Sequence, residues 1–405
     1  MSKTPGNLTI KNVSIFDGES EELIEGDIRI VDGTIAEIGK NLSTSDQIMD
    51  AKGKFAIPGL IDNHFHAYGI SLDMIAAETG PRSYAALKGA VRLKSALKRG
   101  FTTVRDVAGG DIGLRSALEE NLIMGPRYFF TGPALSQTGG HGDFRTAHMS
   151  DDVCCFDGLG TEVVDGVDNL RTAVRNRFRT GAHAIKIMSS GGVVSLTDPI
   201  RIPQYSAEEI RAVTDEASRR NSYVAAHAYS PEAIVHAVSN GVRSIEHGNL
   251  LDAKTAEFMA ANKAVLVPTL VTYFSMSVEG VKMGMNEIML SKNAEVLDNG
   301  KLAIDHARRA GVLIGFGSDL MGDFERYQLQ GIRHQADVLT PIELLRSLTS
   351  NNAKILNHDN LGRLKDGCVG DVLLLNSNPL EKPASLWEDV ERVIIQSGNV
   401  VSTSL

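Results

Sequence analysis

Cysteine is nearly absent from this sequence: Cys154, Cys155 and Cys368 are the only three among 405 residues. An odd, low count supplies no disulfide framework, which suits a reducing cytoplasm. The adjacent pair Cys154-Cys155 lacks the C-x-x-C spacing of metal or redox pairs and reads as two small loop residues. Long apolar runs are also missing, since none approaches the ~20 residues of a membrane-spanning helix. There is no excess of positive charge. The net charge of −9 speaks against a nucleic-acid or anionic-membrane partner, because both need a basic patch. Residues 1–7 contain no apolar h-region, so no signal peptide is expected and the compartment is read as cytoplasmic, a removed leader aside. What remains is an ordinary globular composition, 42% apolar and 22% charged. The length fits one large barrel or two to three domains.

Both ends of the chain are strand-like. Leu8-Thr9-Ile10, Val13-Ser14-Ile15-Phe16, Asp27-Ile28-Arg29-Ile30-Val31 and Thr34-Ile35-Ala36-Glu37-Ile38 are β-rich and separated by glycine turns. Asp32-Gly33 between two alternating runs is a hairpin signal. The same texture returns at Asp371-Val372-Leu373-Leu374-Leu375 and from Val393 to Val401. Neither tail makes a good sheet alone, and the termini of a domain often lie close together. The expectation is a small β-sandwich built from residues 1–57 and 362–405, split by a central unit at 58–361.

That central unit alternates short apolar runs with helical stretches. The runs fall at 59–66, 102–107, 127–132, 184–189, 223–229, 244–248, 264–270 and 313–319. Helical periodicity fills 85–99, 206–220, 231–240 and 301–310, and Ser230-Pro231 is a good helix start. Eight strand–helix units over about 300 residues point to an α/β fold, a (β/α)8 TIM-type barrel. Residues 136–165 and 271–298 read as insertions over the active-site face.

Function in such barrels sits at the C-terminal ends of the strands. His64 and His66 close the first run. Side chains alternate along a strand, so both imidazoles point the same way. A lone His-x-His carries little weight. The later runs add Lys186, His227, His247 and Asp319, so four imidazoles, one lysine and one carboxylate converge on one barrel mouth. Nitrogen and oxygen donors without thiolate suit Zn²⁺, with Mn²⁺, Co²⁺ or Fe²⁺ as alternatives. His148, His183, His236, His306, His334 and His358 match no motif and read as surface or packing residues.

The motifs Pro58-Gly59-Leu60-Ile61-Asp62-Asn63-His64-Phe65-His66, Ile245-Glu246-His247-Gly248 and Gly317-Ser318-Asp319 make the chain resemble the amidohydrolase superfamily of metal-dependent hydrolases. The resemblance implies two divalent metal ions. His64, His66 and Asp319 would hold one, His227 and His247 the other, and a Lys186 carboxylated by CO2 would bridge them. A buried ammonium repels metal, so its proton has to leave before it can serve. The implied reaction is attack of a metal-bridging hydroxide on a carbonyl, with Asp319 as general base and then acid.

Ser136-Gln137-Thr138-Gly139-Gly140-His141 resembles the prolidase and carboxypeptidase-like branch, where the histidine polarises the scissile carbonyl. By the same resemblance Tyr229 binds the substrate α-carboxylate. The glycines of Ser189-Ser190-Gly191-Gly192 would let backbone N–H groups approach a ligand. The nearest resemblance is to Xaa-Pro dipeptidase-like enzymes, which release a C-terminal amino acid from dipeptides and N-acyl amino acids. Relatives of that branch also hydrolyse ochratoxin. With no acidic pocket residue identified, proline or another apolar C-terminal residue is the expected preference. Homo-oligomers, up to octamers, are implied by the resemblance only. The alternatives are a cyclic-amide hydrolase or deaminase similar to imidazolonepropionase, which Lys186 argues against, and a non-catalytic scaffold, which the complete ligand set argues against.

Overall fold

The computed structural model describes residues 5–44, 47–149, 158–195, 198–388 and 391–402. Cys154 and Cys155 lie outside these residues. Strands Leu8–Ile15, Ile24–Val31, Thr34–Gly39, Phe55–Pro58, Val372–Leu375, Val393–Gln396 and Asn399–Ser402 join in one mixed sheet, with Gln47–Asp50 beside Leu8–Ile15. The expected hairpin is present. Asp32 and Gly33 have φ of 47° and 73°, and two consecutive positive φ values match the right-handed twist of the flanking strands.

The two tails meet directly. Phe55–Pro58 pairs antiparallel with Val372–Leu375, from Phe55 opposite Leu375 to Pro58 opposite Val372. Alternation then gives this C-terminal strand two jobs. Leu373 and Leu375 face the large core shared with the central unit. Val372 and Leu374 face a second core with Leu8, Ile10, Ile28 and Ile30.

Each of the eight expected central runs contains a strand, and every pairing among them is parallel. Leu60–Phe65, Phe101–Asp106 and Arg127–Phe130 form one sheet. Ile185–Met188, Val224–Ala228, Ser244–His247, Val265–Val267 and Leu313–Ile314 lie in the other. Ile185–Met188, Val224–Ala228 and Ser244–His247 are buried on both faces, as parallel strands covered by helices are. Two short strands were not anticipated: Ala134–Ser136 and Thr161–Val163 pair with each other at the two ends of the region read as an insertion. Backbone hydrogen bonds join the sheets at both sides. Asn63 N–H donates to Phe316 O at 2.9 Å and His183 N–H to Phe130 O at 3.0 Å.

Helices Arg82–Lys98, Ala207–Ser218 and Pro231–Ser239 match the periodic stretches. Ser206 and Glu209 form a capping box, and Ser230 caps the helix that starts at Pro231. The other expected insertion, 271–298, is largely helical. Leu270–Glu279 is followed by Glu287–Ala310, a 24-residue helix that starts well before residue 301. The reason is local: the Asn286 side chain accepts the Met289 N–H and starts the helix early.

Candidate metal centre

All six residues singled out as ligands line one cavity at the ends of the parallel strands: His64, His66, Lys186, His227, His247 and Asp319. His64, His66 and Asp319 each offer a ligand atom within 4.8 Å of the others, a grouping able to hold a divalent cation. His66 Nε2 is 2.9 Å from Asp319 Oδ1 and His64 Nε2 is 3.5 Å from the same oxygen. The ring centroids of His64 and His247 are 4.7 Å apart, and those of His227 and His247 are 4.6 Å apart. Lys186 is the second residue of its strand rather than the last, and is 2% exposed.

The elements that hold these side chains are mostly ones sequence reasoning missed. Asp62 Oδ1 accepts the N–H groups of His64 and Ser318, both at 3.0 Å. One carboxylate thus ties the first ligand strand to the turn that carries Asp319. Asn352 donates to Ile61 O and Phe316 O and accepts from Asn63. Arg92, on helix Arg82–Lys98, donates to the carbonyls of His66, Gly322 and Leu320. Glu246, beside His247 in sequence, accepts from His64 Nδ1 at 2.7 Å. His247 and Asp319 have φ of 71° and 52°. A left-handed backbone at a non-glycine residue costs about 1–3 kcal/mol, and it turns both chains at the mouth of the site. Gly317 permits the approach, because a Cβ there would lie 2.4 Å from His64 Cβ.

Burial dominates the electrostatics. It holds the imidazoles of His64, His227 and His247 well below the usual histidine range, with neighbouring cationic groups adding to the effect. Neutral imidazoles keep a lone pair for a cation. Burial also brings the Lys186 ammonium down to about 8, against the pull of Glu246 and Asp319.

His141 and Tyr229 line the same cavity. The His141 ring stacks on His227 at 4.3 Å, its Nδ1 is 2.9 Å from Ser195 Oγ, and its backbone N–H donates to Gln204. Tyr229 OH is 2.9 Å from Tyr273 OH, another phenol that lines the cavity. Gly191 and Gly192 are arranged differently from the expectation. Neither lines the cavity. The Gly192 N–H already donates to Asp198 Oδ2 at 3.0 Å, and the Gly191 carbonyl is 3.1 Å from His227 Nε2. Gly192 is small for another reason, since a Cβ there would sit 1.9 Å from the His141 ring.

Most of the remaining wall is apolar, with Met74, Phe144, Met188, Val193, Met276 and Met321. Glu78 is an acidic wall residue that the sequence did not reveal, but its two oxygens accept the N–H groups of Leu159 and Gly160. His148, His183, His236, His306, His334 and His358 do not line the cavity. No helix among the described residues is long and apolar enough to cross a membrane.

The amidohydrolase family model matches residues 55–401. A prolidase solved with N-methylphosphonate-L-proline is 40% identical, with a TM-score of 0.95 over 98% of this chain and 100% of that one. A Xaa-Pro dipeptidase with methionine bound in its active site is 28% identical, with a TM-score of 0.86 over 98% of this chain and all of that one. Ochratoxinase of Aspergillus niger is 29% identical over 91% of this chain and 80% of its own length. With the family match running from Phe55 through both parallel sheets and into the C-terminal strands, the chain belongs to the amidohydrolase family, metal-dependent hydrolases related to prolidases and ochratoxinase.

Proposed function

We propose that this protein is a binuclear amidohydrolase that cleaves the amide bond of dipeptides or N-acyl amino acids and releases the C-terminal residue. The observation that carries the reading is the convergence of four imidazoles, a carboxylate and a buried lysine on one apolar cavity. Nitrogen and oxygen donors without sulfur fit zinc. His64, His66 and Asp319 would hold one ion, His227 and His247 the other, and carboxylated Lys186 would bridge them. Such ions supply Lewis acidity and an acidified water at neutral pH.

The protein's own groups do the rest. Asp319 takes the proton of the attacking water and delivers it to the leaving amine. His141 hydrogen-bonds the carbonyl oxygen as negative charge develops there. The Tyr229 hydroxyl binds the α-carboxylate of the departing amino acid. Apolar walls, together with a Glu78 already engaged by backbone N–H groups, favour proline or another apolar residue at the C-terminal position. The prolidase and Xaa-Pro dipeptidase relatives support this substrate class, and the ochratoxinase relative extends it to bulky N-acyl amino acids. In this reading the two parallel sheets are one closed (β/α)8 barrel at 58–361, flanked by the terminal unit of 1–57 and 362–405, and copies assemble into a homo-oligomer.

The test is release of free amino acids by zinc-loaded protein across a library of dipeptides and N-acyl amino acids. Preferential release of proline or apolar residues is expected. Release of basic residues alone would overturn the pocket assignment, and no release at all would overturn the reaction.

A further inference from the structure

Glu246 is fully buried and is not a cavity-lining residue. It sits at the centre of a closed set of charged contacts. Arg105, also fully buried, reaches both of its oxygens with one amino group, at 2.7 and 2.8 Å. Ser244 Oγ donates to Glu246 Oε1 at 2.6 Å. Arg105 is anchored in turn through Nε to Asn63 O at 2.6 Å, on the strand that carries His64. The last contact of Glu246 is His64 Nδ1, 2.7 Å from Oε2. The strands Leu60–Phe65, Phe101–Asp106 and Ser244–His247 each contribute to this group.

A carboxylate paired with a guanidinium has only acceptors to offer. The hydrogen on this contact therefore belongs to His64 Nδ1. A neutral imidazole that donates from Nδ1 keeps its lone pair on Nε2, and Nε2 is the nitrogen that faces Asp319 at 3.5 Å. At the neighbouring imidazoles the hydrogen-bond partner of Nδ1 is uncharged, with carboxylate oxygens of Asp106 and Asp319 no nearer than 4.0 and 3.8 Å. His66 Nδ1 is 3.3 Å from the Ala108 carbonyl and His247 Nδ1 is 2.7 Å from the Thr269 hydroxyl. A hydroxyl can donate or accept, so it does not select a tautomer.

We propose that Glu246, locked by Arg105 and Ser244, is a positioning residue that fixes the Nδ1–H tautomer of His64 and presents its Nε2 lone pair to the metal. The inference rests on the metal-holding reading above, but the tautomer itself is a property of the metal-free protein. Exchanging one carboxylate oxygen for nitrogen, in Glu246→Gln, gives the clean perturbation. The amide oxygen turns to Arg105, the amide nitrogen faces His64 Nδ1 as a donor, and the imidazole is driven to carry its hydrogen on Nε2.

The experiment uses full-length protein with ¹⁵N-labelled histidine, metal-free, with the His64 signal assigned by its loss in His64→Gln. The expected wild-type spectrum shows a protonated Nδ1 and a pyridine-like Nε2 for His64, and the two exchange roles in Glu246→Gln. Zinc titration against a chromophoric chelator should show one equivalent weakened ~10–100-fold in that variant, the usual effect of removing a ligand's orienting partner. Glu246→Asp, which keeps the carboxylate, should recover much of that affinity. A wild-type His64 that carries its hydrogen on Nε2 overturns the proposal without any variant. So does a folded Glu246→Gln protein with wild-type zinc affinity. The expected tautomer in a wild-type protein that takes up no zinc would instead sink the metal reading and leave the tautomer assignment standing.

Discussion

His64 and His227 are both buried imidazoles near the ends of parallel strands, yet they are held by opposite nitrogens and by different kinds of structure. His64 is gripped at Nδ1 by Glu246, and the strands around it are tied by Asp62, Asn352 and Arg92. His227 is met at Nε2 by the carbonyl of Gly191, in a loop, and its ring stacks on His141. That loop also supplies Ser195 and Asp198, which lie 2.9 and 3.6 Å from His141 Nδ1. One half of the site is therefore set by the strand framework. The other half shares its supports with the side chain proposed to contact substrate. Metal geometry and substrate recognition should be separable in the first half and coupled in the second.

The largest effect should come from the framework half. Asp319→Asn is expected to keep the fold and most bound metal while hydrolysis falls by ~10²–10⁴-fold, the range of a lost general base. Steady-state kinetics beside metal analysis would check it, and near-wild-type turnover would remove Asp319 from the proton transfers. Next is Gly192→Ala, whose methyl would overlap three atoms of the His141 ring. Displacing that ring should lower kcat/KM by about 100-fold, as for loss of one oxyanion donor, and should also weaken the zinc equivalent proposed for His227. If zinc affinity is unchanged, the two functions of the loop half are not coupled.

Lys292→Met is a gentler break of the same half. The Lys292 ammonium donates to the carbonyls of Gly192, Ser195 and Asp198 at 2.8–3.0 Å. Each such bond contributes about 1 kcal/mol net, ~5-fold in an equilibrium, and the three together on the order of 100-fold, so KM should rise by ~5–100-fold with the His64 side undisturbed. A scan of KM against zinc stoichiometry would separate the two halves.

The last test lies outside both halves and bears on stability rather than activity. Burial holds the His183 imidazole down to about 3, partly offset by the Phe130 carbonyl, with Arg105 and His358 adding to the depression. An unfolded chain protonates this residue near 6.5, so below that pH the unfolded state binds the extra proton. The stability due to a neutral His183 is complete above about 6.5 and falls by at most ~1.4 kcal/mol per pH unit down to about 3. His183→Gln should flatten that acid limb in melting curves, and an unchanged limb would refute the assignment.

Much of this framework was legible in the residues themselves. Apolar runs bounded by glycine, proline and polar clusters marked the strands, and histidines at their ends marked the site. Residues whose role depends on a distant partner were not legible. Glu246 stands inside the motif that carries His247, but alternation alone would send the two side chains to opposite faces. A strand buried on both faces gives no contrast to show where either one points. Asn352 closes the gap between Ile61 and Phe316 across 291 and 36 positions, which no local pattern encodes. The run at 313–319 was visible, but only Leu313–Ile314 is ladder-paired. Beyond it, the Phe316 and Ser318 N–H groups donate to side chains of Asn352 and Asp62, alternating with backbone bonds from Gly315, Gly317 and Asp319. The long helix from Glu287 was underestimated because its start depends on one capping side chain, Asn286.

The pairing of Phe55–Pro58 with Val372–Leu375 has a consequence for the order in which the molecule can be made. Lys54 and Asn376, which hydrogen-bond just past that ladder, are 322 positions apart. The early strands leave the ribosome long before their partner exists, so their apolar faces wait while the intervening chain is synthesised. Closing so long a separation also slows folding, because the entropy of the loop is lost before the contact forms. A nascent chain stopped short of Leu375 would carry the whole metal-ligand set and still lack the strand that seals two cores at once. Such chains are natural clients for chaperones, and the molecule commits to its native state only once Val372–Leu375 has been made.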